Sequence, residues 1–295
     1  VFSYDTGRDH AGTKPNLEVG KLPALRVIHM DSLLFHEQPD EERWRPLEAR
    51  IREDGLLKHP PIAARDHGSA THILLDGVNR VEAIRRLGAS WLLVQEVDLG
   101  DDMLVLSTWH HVMEGLAGED VVERLKAGTR ISRIEGEFTG AGDFLPIFAP
   151  DSECLLVLKD RSAYAVHTAD DLVSRLKIVS SVVGVVHEAR NRDRVSYTNM
   201  GDLAKHYRDF SGLICYRAFT KDEVLALCLD GRKFPSGVTR FSIPKRALYF
   251  DLPFSFLKGK GTPESKQAEL DDIIQAKIKA KKIRFYVEPT FIFDD

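Results

Sequence analysis

Apolar positions along the chain follow two periods, and their alternation predicts an αβ unit in the first hundred residues. Leu25 to Met30 alternates and predicts a short strand. Trp44, Leu47 and Ile51 recur at helical spacing, so a helix is expected over about Glu41 to Glu53, ended by Asp54-Gly55. Pro60-Pro61 introduces an extended run, Ile62 to Arg65, and His72 to Leu75 predicts the next strand. Ala83, Ile84 and Leu87 define the apolar face of a helix that Gly88 stops. Trp91 to Val97 predicts a further strand.

Beyond this unit the pattern changes. Leu104 to Leu116 is expected to be helical and carries Trp109-His110-His111. Glu119 to Lys126 predicts another helix, and Leu155 to Leu158 with Ala163 to Val166 predicts a strand pair. A long helix is expected over Asp170 to Ala189, a shorter one over Asn199 to Tyr207, and a strand over Leu213 to Arg217. Thr220 is placed to cap a helix containing Val224, Leu225 and Leu227. Pro235 to Phe241 is expected to be a loop, Gln267 to Lys282 a charged helix, and Arg284 to Phe293 a closing edge strand interrupted by Pro289. There is no internal repeat and no low-complexity linker.

The 41 basic and 45 acidic residues leave a net charge of −4, so no global basic field draws the chain to nucleic acid or an anionic membrane. Residues 1–22 are polar and Gly-rich, which predicts a loose arm and no secretory h-region. No run approaches the roughly 18 apolar residues of a spanning helix. Cys154, Cys215 and Cys228 are widely spaced, which suits a reducing cytoplasm and thiols packed in the core.

Candidate chemistry concentrates in three places. The first is Leu75-Asp76-Gly77-Val78-Asn79-Arg80, where a buried strand turns into a helix. The N–H groups and partial positive charge of a helix N-terminus favour phosphate, and an Arg one turn in strengthens that site. Asp76 beside it suits a hard cation carried with the phosphate. A capped helix with a solvated Arg80 accounts for the same residues. The second is Gly237-Val238-Thr239-Arg240, where a permissive backbone, a hydroxyl and a guanidinium fork together suit a carboxylate. On these residues alone an ordinary surface turn with an ion pair is the better explanation. The third is Trp109-His110-His111, an aromatic wall with two imidazoles; adjacent residues do not share a helix face, which argues against joint metal ligation. Gly259-Lys260-Gly261-Thr262 lacks the G-x-x-x-x-G-K-[ST] pattern and is expected to be a loop, and Phe138 and Asp143 break any dinucleotide fingerprint around Gly136 to Gly142.

Taken in order, Ile51-Arg52-Glu53-Asp54-Gly55, Pro60-Pro61-Ile62, Leu75 to Arg80 and Leu87-Gly88 resemble the ParB/sulfiredoxin-like fold. Within that superfamily the chain is similar to the free L-serine kinases, with the likeness resuming at Trp109 and at Gly237 to Pro244. The resemblance implies an α/β (α+β) architecture: a ParB/sulfiredoxin-like nucleotide-binding domain over 23–117 and an appended α/β domain over 118–295 that contributes substrate-binding residues. It implies Mg²⁺-dependent phosphorylation of L-serine to O-phospho-L-serine by ATP or ADP, feeding siderophore or amino-acid biosynthesis. It also implies a catalytic Glu37, a phosphate turn of Asp76, Gly77, Val78, Asn79 and Arg80, and a metal role for Asp76, direct or through water. Trp109, His110, Thr239 and Arg240 match the implied substrate pocket. The archaeal members place a His where Asn79 stands, so no acid–base role transfers to that position. Val78 stands where sulfiredoxins need a reactive Cys. The competing interpretation is a ParB-like regulatory protein that binds nucleotide or DNA without kinase activity; no DNA-binding module follows the turn. Oligomeric state, donor preference and the pathway served are left open.

Overall fold

The computed structural model describes residues 22–65, 71–135 and 148–286. In chain order these form β1 (Ala24–His29), β2 (Leu33–Phe35), α1 (Glu41–Asp54), β3 (Leu56–Leu57), β4 (Ile62–Arg65), β5 (His72–Asp76), α2 (Val78–Arg86) and β6 (Trp91–Val97). There follow β7 (Val105–Thr108), β8 (His110–Glu114), α3 (Gly118–Gly128), β9 (Ile131–Ile134), β10 (Ser152–Leu158), β11 (Ala163–His167), α4 (Leu172–His187) and β12 (Asn191–Val195). The remainder is α5 (Met200–His206), β13 (Phe210–Tyr216), α6 (Lys221–Leu229), β14 (Thr239–Ser242), β15 (Leu252–Pro253), α7 (Phe254–Lys258) and α8 (Pro263–Lys279). The chain divides into two compact units, and neither is continuous in sequence. Among the described residues, one comprises Leu34–Asp40 and Leu104–Ile243, and the other comprises 22–33, Glu41–Met103 and 244–286. The boundary expected at 117/118 therefore falls inside the first of these.

The first unit is built on a six-stranded sheet in the order β12-β8-β13-β10-β11-β9, with every pair antiparallel. Its central strands are buried on both faces, which is why β10 reads as a continuous apolar run rather than an alternation. Leu156, Val166, Ile214 and Met113 face one way and pack with Val121 and Leu125 of α3 and Val179, Val182 and Val186 of α4. Leu155, Leu213, Cys215 and Val112 face the other way and pack with Leu203 of α5. Asp171 caps α4, Asn199 caps α5, and Thr220 with Glu223 forms a full capping box on α6. A separate ribbon pairs β7 with β14, setting Thr239 opposite Thr108 and Arg240 opposite Ser107.

This arrangement corrects two expectations. Leu104 to Leu116 is two strands, not a helix. Val105, Thr108 and Val112 are β-branched, and their partners in β14 and β13 lie more than a hundred residues downstream, beyond the reach of a local period. Thr239 to Phe241 likewise belongs to a strand rather than a loop, because β7 supplies its ladder.

In the second unit β1, β6, β4 and β5 are neighbours in that order. β1 runs antiparallel to β6, β4 parallel to β6, and β4 antiparallel to β5. Helices α1 and α2 pack on each other through Trp44, whose ring lies 3.9 Å from the Arg86 guanidinium. Buried Glu82 holds both Arg85 and Arg86. The edge of β1 is covered by α8: Gln267 accepts a hydrogen bond from Val27 N–H at 3.1 Å and donates to the Leu25 carbonyl at 3.3 Å. Helix α8 begins at Pro263, earlier than expected, with Thr262 as its cap, so the Gly259 to Thr262 stretch joins α7 to α8. Arg284 to Tyr286, expected to open a strand, has no regular structure; the rest of that segment, the arm over 1–21 and Gly136 to Gly142 lie outside the described residues.

Candidate active site

Glu37 lies in an extended stretch held to Phe234 by a parallel bridge. The Phe234 N–H donates to the His36 carbonyl at 2.7 Å, and the Gln38 N–H donates to the Phe234 carbonyl at 2.8 Å. These bonds bring the Glu37 carboxylate to a turn 200 residues downstream, where its Oε2 accepts the Gly237 N–H at 3.1 Å and the Thr239 hydroxyl at 3.4 Å. His36 is 3% exposed, and its Nε2 lies 2.8 Å from the Thr239 Oγ1. With the Thr239 O–H directed at Glu37, the ring must donate from Nε2, giving the relay His36 to Thr239 to Glu37.

The backbone at this turn calls for glycine. Its φ of +82° is a left-handed conformation, and a Cβ there would stand 2.6 Å from Cδ of Arg194. Beside the turn, the Trp109 N–H donates to the Val238 carbonyl at 2.9 Å. Two guanidinium groups flank the Trp109 ring, Arg240 at 4.6 Å and Arg194 at 5.8 Å from its centroid.

The two histidines of β8 point to opposite faces, as strand geometry demands. His110 is 9% exposed, and its Nδ1 accepts the Tyr216 N–H at 3.4 Å. His111 Nδ1 lies 2.7 Å from the Tyr216 hydroxyl. Burial pushes the Tyr216 hydroxyl well above its ordinary value, so Tyr216 donates and His111 is the Nε2–H tautomer. Desolvation holds both imidazoles down to about 4, in His111 with help from the nearby His187 and against a hydrogen bond to the Gly237 backbone. A base whose pKa is depressed on folding stabilises the fold above its unfolded value near 6.5 and loses that contribution as pH falls toward 4. Thermal melts should therefore drop by a few kcal/mol equivalent across that window, and His111→Gln should flatten the drop. Equal slopes in wild type and variant would remove His111 from the acid lability.

The second unit carries the Asp76 turn. Strand β5 delivers Asp76 to a left-handed Gly77, φ +93°, and α2 starts at once. Gly77 cannot cap with a side chain, so the α2 N-terminus offers backbone N–H groups without side-chain capping. A Cβ at Gly77 would meet Pro61 at 3.2 Å. Val78 and Asn79 are buried, and Arg80 Nη1 donates to the His59 carbonyl at 2.5 Å. Asp76 forms an ion pair with Arg246. Arg246 is placed by Gln95, which donates to the Lys245 carbonyl at 2.7 Å and accepts the Ala247 N–H at 2.8 Å.

Within the first unit, then, Glu37, Thr239, Arg240 and Trp109 come together about the Gly237 turn, His110 meets the Tyr216 backbone instead, and Asp76 to Arg80 form a group in the second unit. His36, Arg194 and Arg246 were not selected from the sequence, whereas His111 was singled out there with Trp109 and His110. His36 adjoins Glu37 and was within reach; Arg194 sits in Asn191-Arg192-Asp193-Arg194-Val195, whose charges resemble a solvated loop.

Among the described residues no group of three or more His, Cys, Asp or Glu side chains could hold a metal, and no helix is long and apolar enough to cross a membrane. All three cysteines are buried and unpaired. Burial raises Cys154 well above the ordinary thiol value, Cys215 to about 12 and Cys228 to about 11, so they are inert packing residues.

No protein-family model matches the chain. Over 237 residues it is 25% identical to the ATP-dependent L-serine kinase SbnI of Staphylococcus aureus, spanning 79% of this chain and 84% of that protein. Over 238 residues it is 24% identical to an ATP-dependent L-serine kinase of Staphylothermus marinus, spanning 79% and 90%. A solved structure of C-terminally truncated SbnI superposes with a TM-score of 0.68 at 20% identity, covering 86% of this chain and 97% of that one. A free serine kinase in complex with AMP superposes with a TM-score of 0.64 at 19% identity, covering 80% and 95%. The mixed α/β fold is thus one that serine kinases share.

Proposed function

We infer that this chain is a small-molecule kinase that transfers a phosphoryl group from ATP or ADP to the hydroxyl of free L-serine. The observation that carries this reading is the Glu37 carboxylate, held by the Gly237 N–H and the Thr239 hydroxyl at a turn beside which Trp109 and Arg240 also lie. Such an arrangement offers a hydroxyl-orienting base, a guanidinium for an α-carboxylate and an aromatic wall for a small substrate.

In the reaction the serine Oγ attacks the terminal phosphorus of the donor. The new O–P bond forms as the bridging P–O bond breaks, and the bridging oxygen leaves with its electron pair on the nucleotide. Glu37 accepts the hydroxyl proton. A carboxylate is a weak base for an alcohol, so the proton moves late and orientation is the larger part of its role. Arg240 anchors the serine carboxylate, while Thr239, whose one hydroxyl proton goes to Glu37, holds that base in place, and neutral His110 lies next to Trp109 along the chain. In the second unit the α2 N-terminus, Asn79 and Arg80 receive nucleotide phosphates and neutralise their charge. Asp76 is a half-exposed hard-oxygen donor, which fits Mg²⁺ held by one carboxylate and shared with phosphate oxygens. Such an ion would supply further neutralisation of phosphate charge. The β1–β6 portion of that unit is assigned to the ParB/sulfiredoxin-like fold, and the product to siderophore or amino-acid biosynthesis in a reducing cytoplasm.

The deciding experiment incubates the protein with Mg²⁺ and L-serine, with ATP and ADP in parallel, and looks for O-phosphoserine by mass spectrometry. Product with either donor supports the kinase. Nucleotide binding without product, together with a shift of DNA in a gel, would support the regulatory interpretation instead. Arg240→Ala should raise the serine KM by roughly tenfold or more and leave the nucleotide KM in place. Movement of the nucleotide KM alone would show that the carboxylate assignment is wrong.

A further inference from the structure

Arg194 has no role in the serine-binding scheme above, yet it is built into the pocket. Its stem crosses the Gly237 turn closely: a Cβ at Gly237 would stand 2.6 Å from Arg194 Cδ. Its guanidinium and that of Arg240 lie against the same Trp109 ring, and both side chains are half-buried. Among the described residues neither guanidinium has a carboxylate partner. Two half-buried guanidinium groups set against one ring are placed to receive anions. One α-carboxylate takes one bidentate fork. L-Serine has no second anion, but its phosphorylated form does.

We propose that Arg194 is a second anion-binding residue of the amino-acid pocket, receiving the phosphoryl group once it is on the serine oxygen, while Arg240 holds the α-carboxylate. The planar guanidinium matches phosphate oxygens with paired N–H donors, and its contact with Trp109 limits the orientations it can take. The proposal rests on the serine-kinase reading and adds a consequence: the pocket binds O-phospho-L-serine more tightly than L-serine.

The test compares wild type, Arg194→Ala, Arg194→Lys and Arg240→Ala by titration calorimetry with L-serine and with O-phospho-L-serine, alongside steady-state kinetics. Arg194→Ala should weaken O-phospho-L-serine binding roughly 30-fold and change the serine KM by less than about threefold. Arg194→Lys should lose part of that, because it keeps the charge and loses the fork. Arg240→Ala should weaken both ligands alike. Equal weakening of both ligands by Arg194→Ala would reassign it to the carboxylate, and no weakening of either would make it a packing residue; each result overturns the proposal. Should the Ala variant fail to fold, the Lys variant decides by the same ratio of the two affinities. Wild-type protein that forms no O-phosphoserine would instead remove the underlying kinase reading, so the two failures are distinct.

Discussion

Glu37→Gln should lower turnover by two to four orders of magnitude, on the order expected for loss of general-base help, while the nucleotide KM stays within about twofold. The substitution is nearly isosteric. A Gln carbonyl oxygen can still accept the Gly237 N–H and the Thr239 hydroxyl that now hold Oε2. The turn should therefore keep its shape, and the loss should report the missing base rather than a displaced loop. Circular dichroism and the serine KM are the controls. Near-normal kcat in a folded variant would take Glu37 out of the mechanism, and the relay from His36 through Thr239 would then be a purely structural hydrogen-bond chain.

The second large effect is expected at Asp76. Asp76→Asn removes the charge that faces Arg246 and leaves a neutral amide oxygen in place of the anionic donor at the start of α2. The kcat/KM for nucleotide should fall roughly a hundredfold or more, and the Mg²⁺ concentration for half-maximal rate should rise. The serine KM, measured at saturating nucleotide, should hardly move. If the Mg²⁺ dependence of the variant overlays that of wild type, Asp76 is an ion-pair partner for Arg246 and no more.

The parts of the fold that could be read from the chain were those whose cause is local. The capped helices α4, α5 and α6 and the β5–Gly77–α2 turn follow from Asp171, Asn199, Thr220 and Gly77 within a few residues of each element. What escaped was set by distant partners. Val105 to Glu114 carries helix-compatible residues and becomes β7 and β8 because β14 and β13 arrive to pair with it. Asn191 to Val195 carries its charges on the three consecutive residues Arg192, Asp193 and Arg194 and becomes an edge strand because β8 offers it a ladder. The candidate site divides the same way. Glu37, Asp76 and Arg240 could be named from motif and resemblance. Arg194 and Arg246 could not, because each matters only through a neighbour brought by the fold, Gly237 and Trp109 for one and Asp76 for the other.

The interleaving of the two units has a temporal consequence. The hydrogen bond from Val27 to Gln267 spans 240 residues, and the one from Gly237 to Glu37 spans 200. At about 5–20 residues per second on the ribosome, the first strand and Glu37 are made tens of seconds before the segments that complete their surroundings. During that interval the edge of β1 is exposed and Glu37 is an ordinary solvated carboxylate. The nascent chain thus carries an open sheet edge and an incomplete Glu37 site until its last third has emerged.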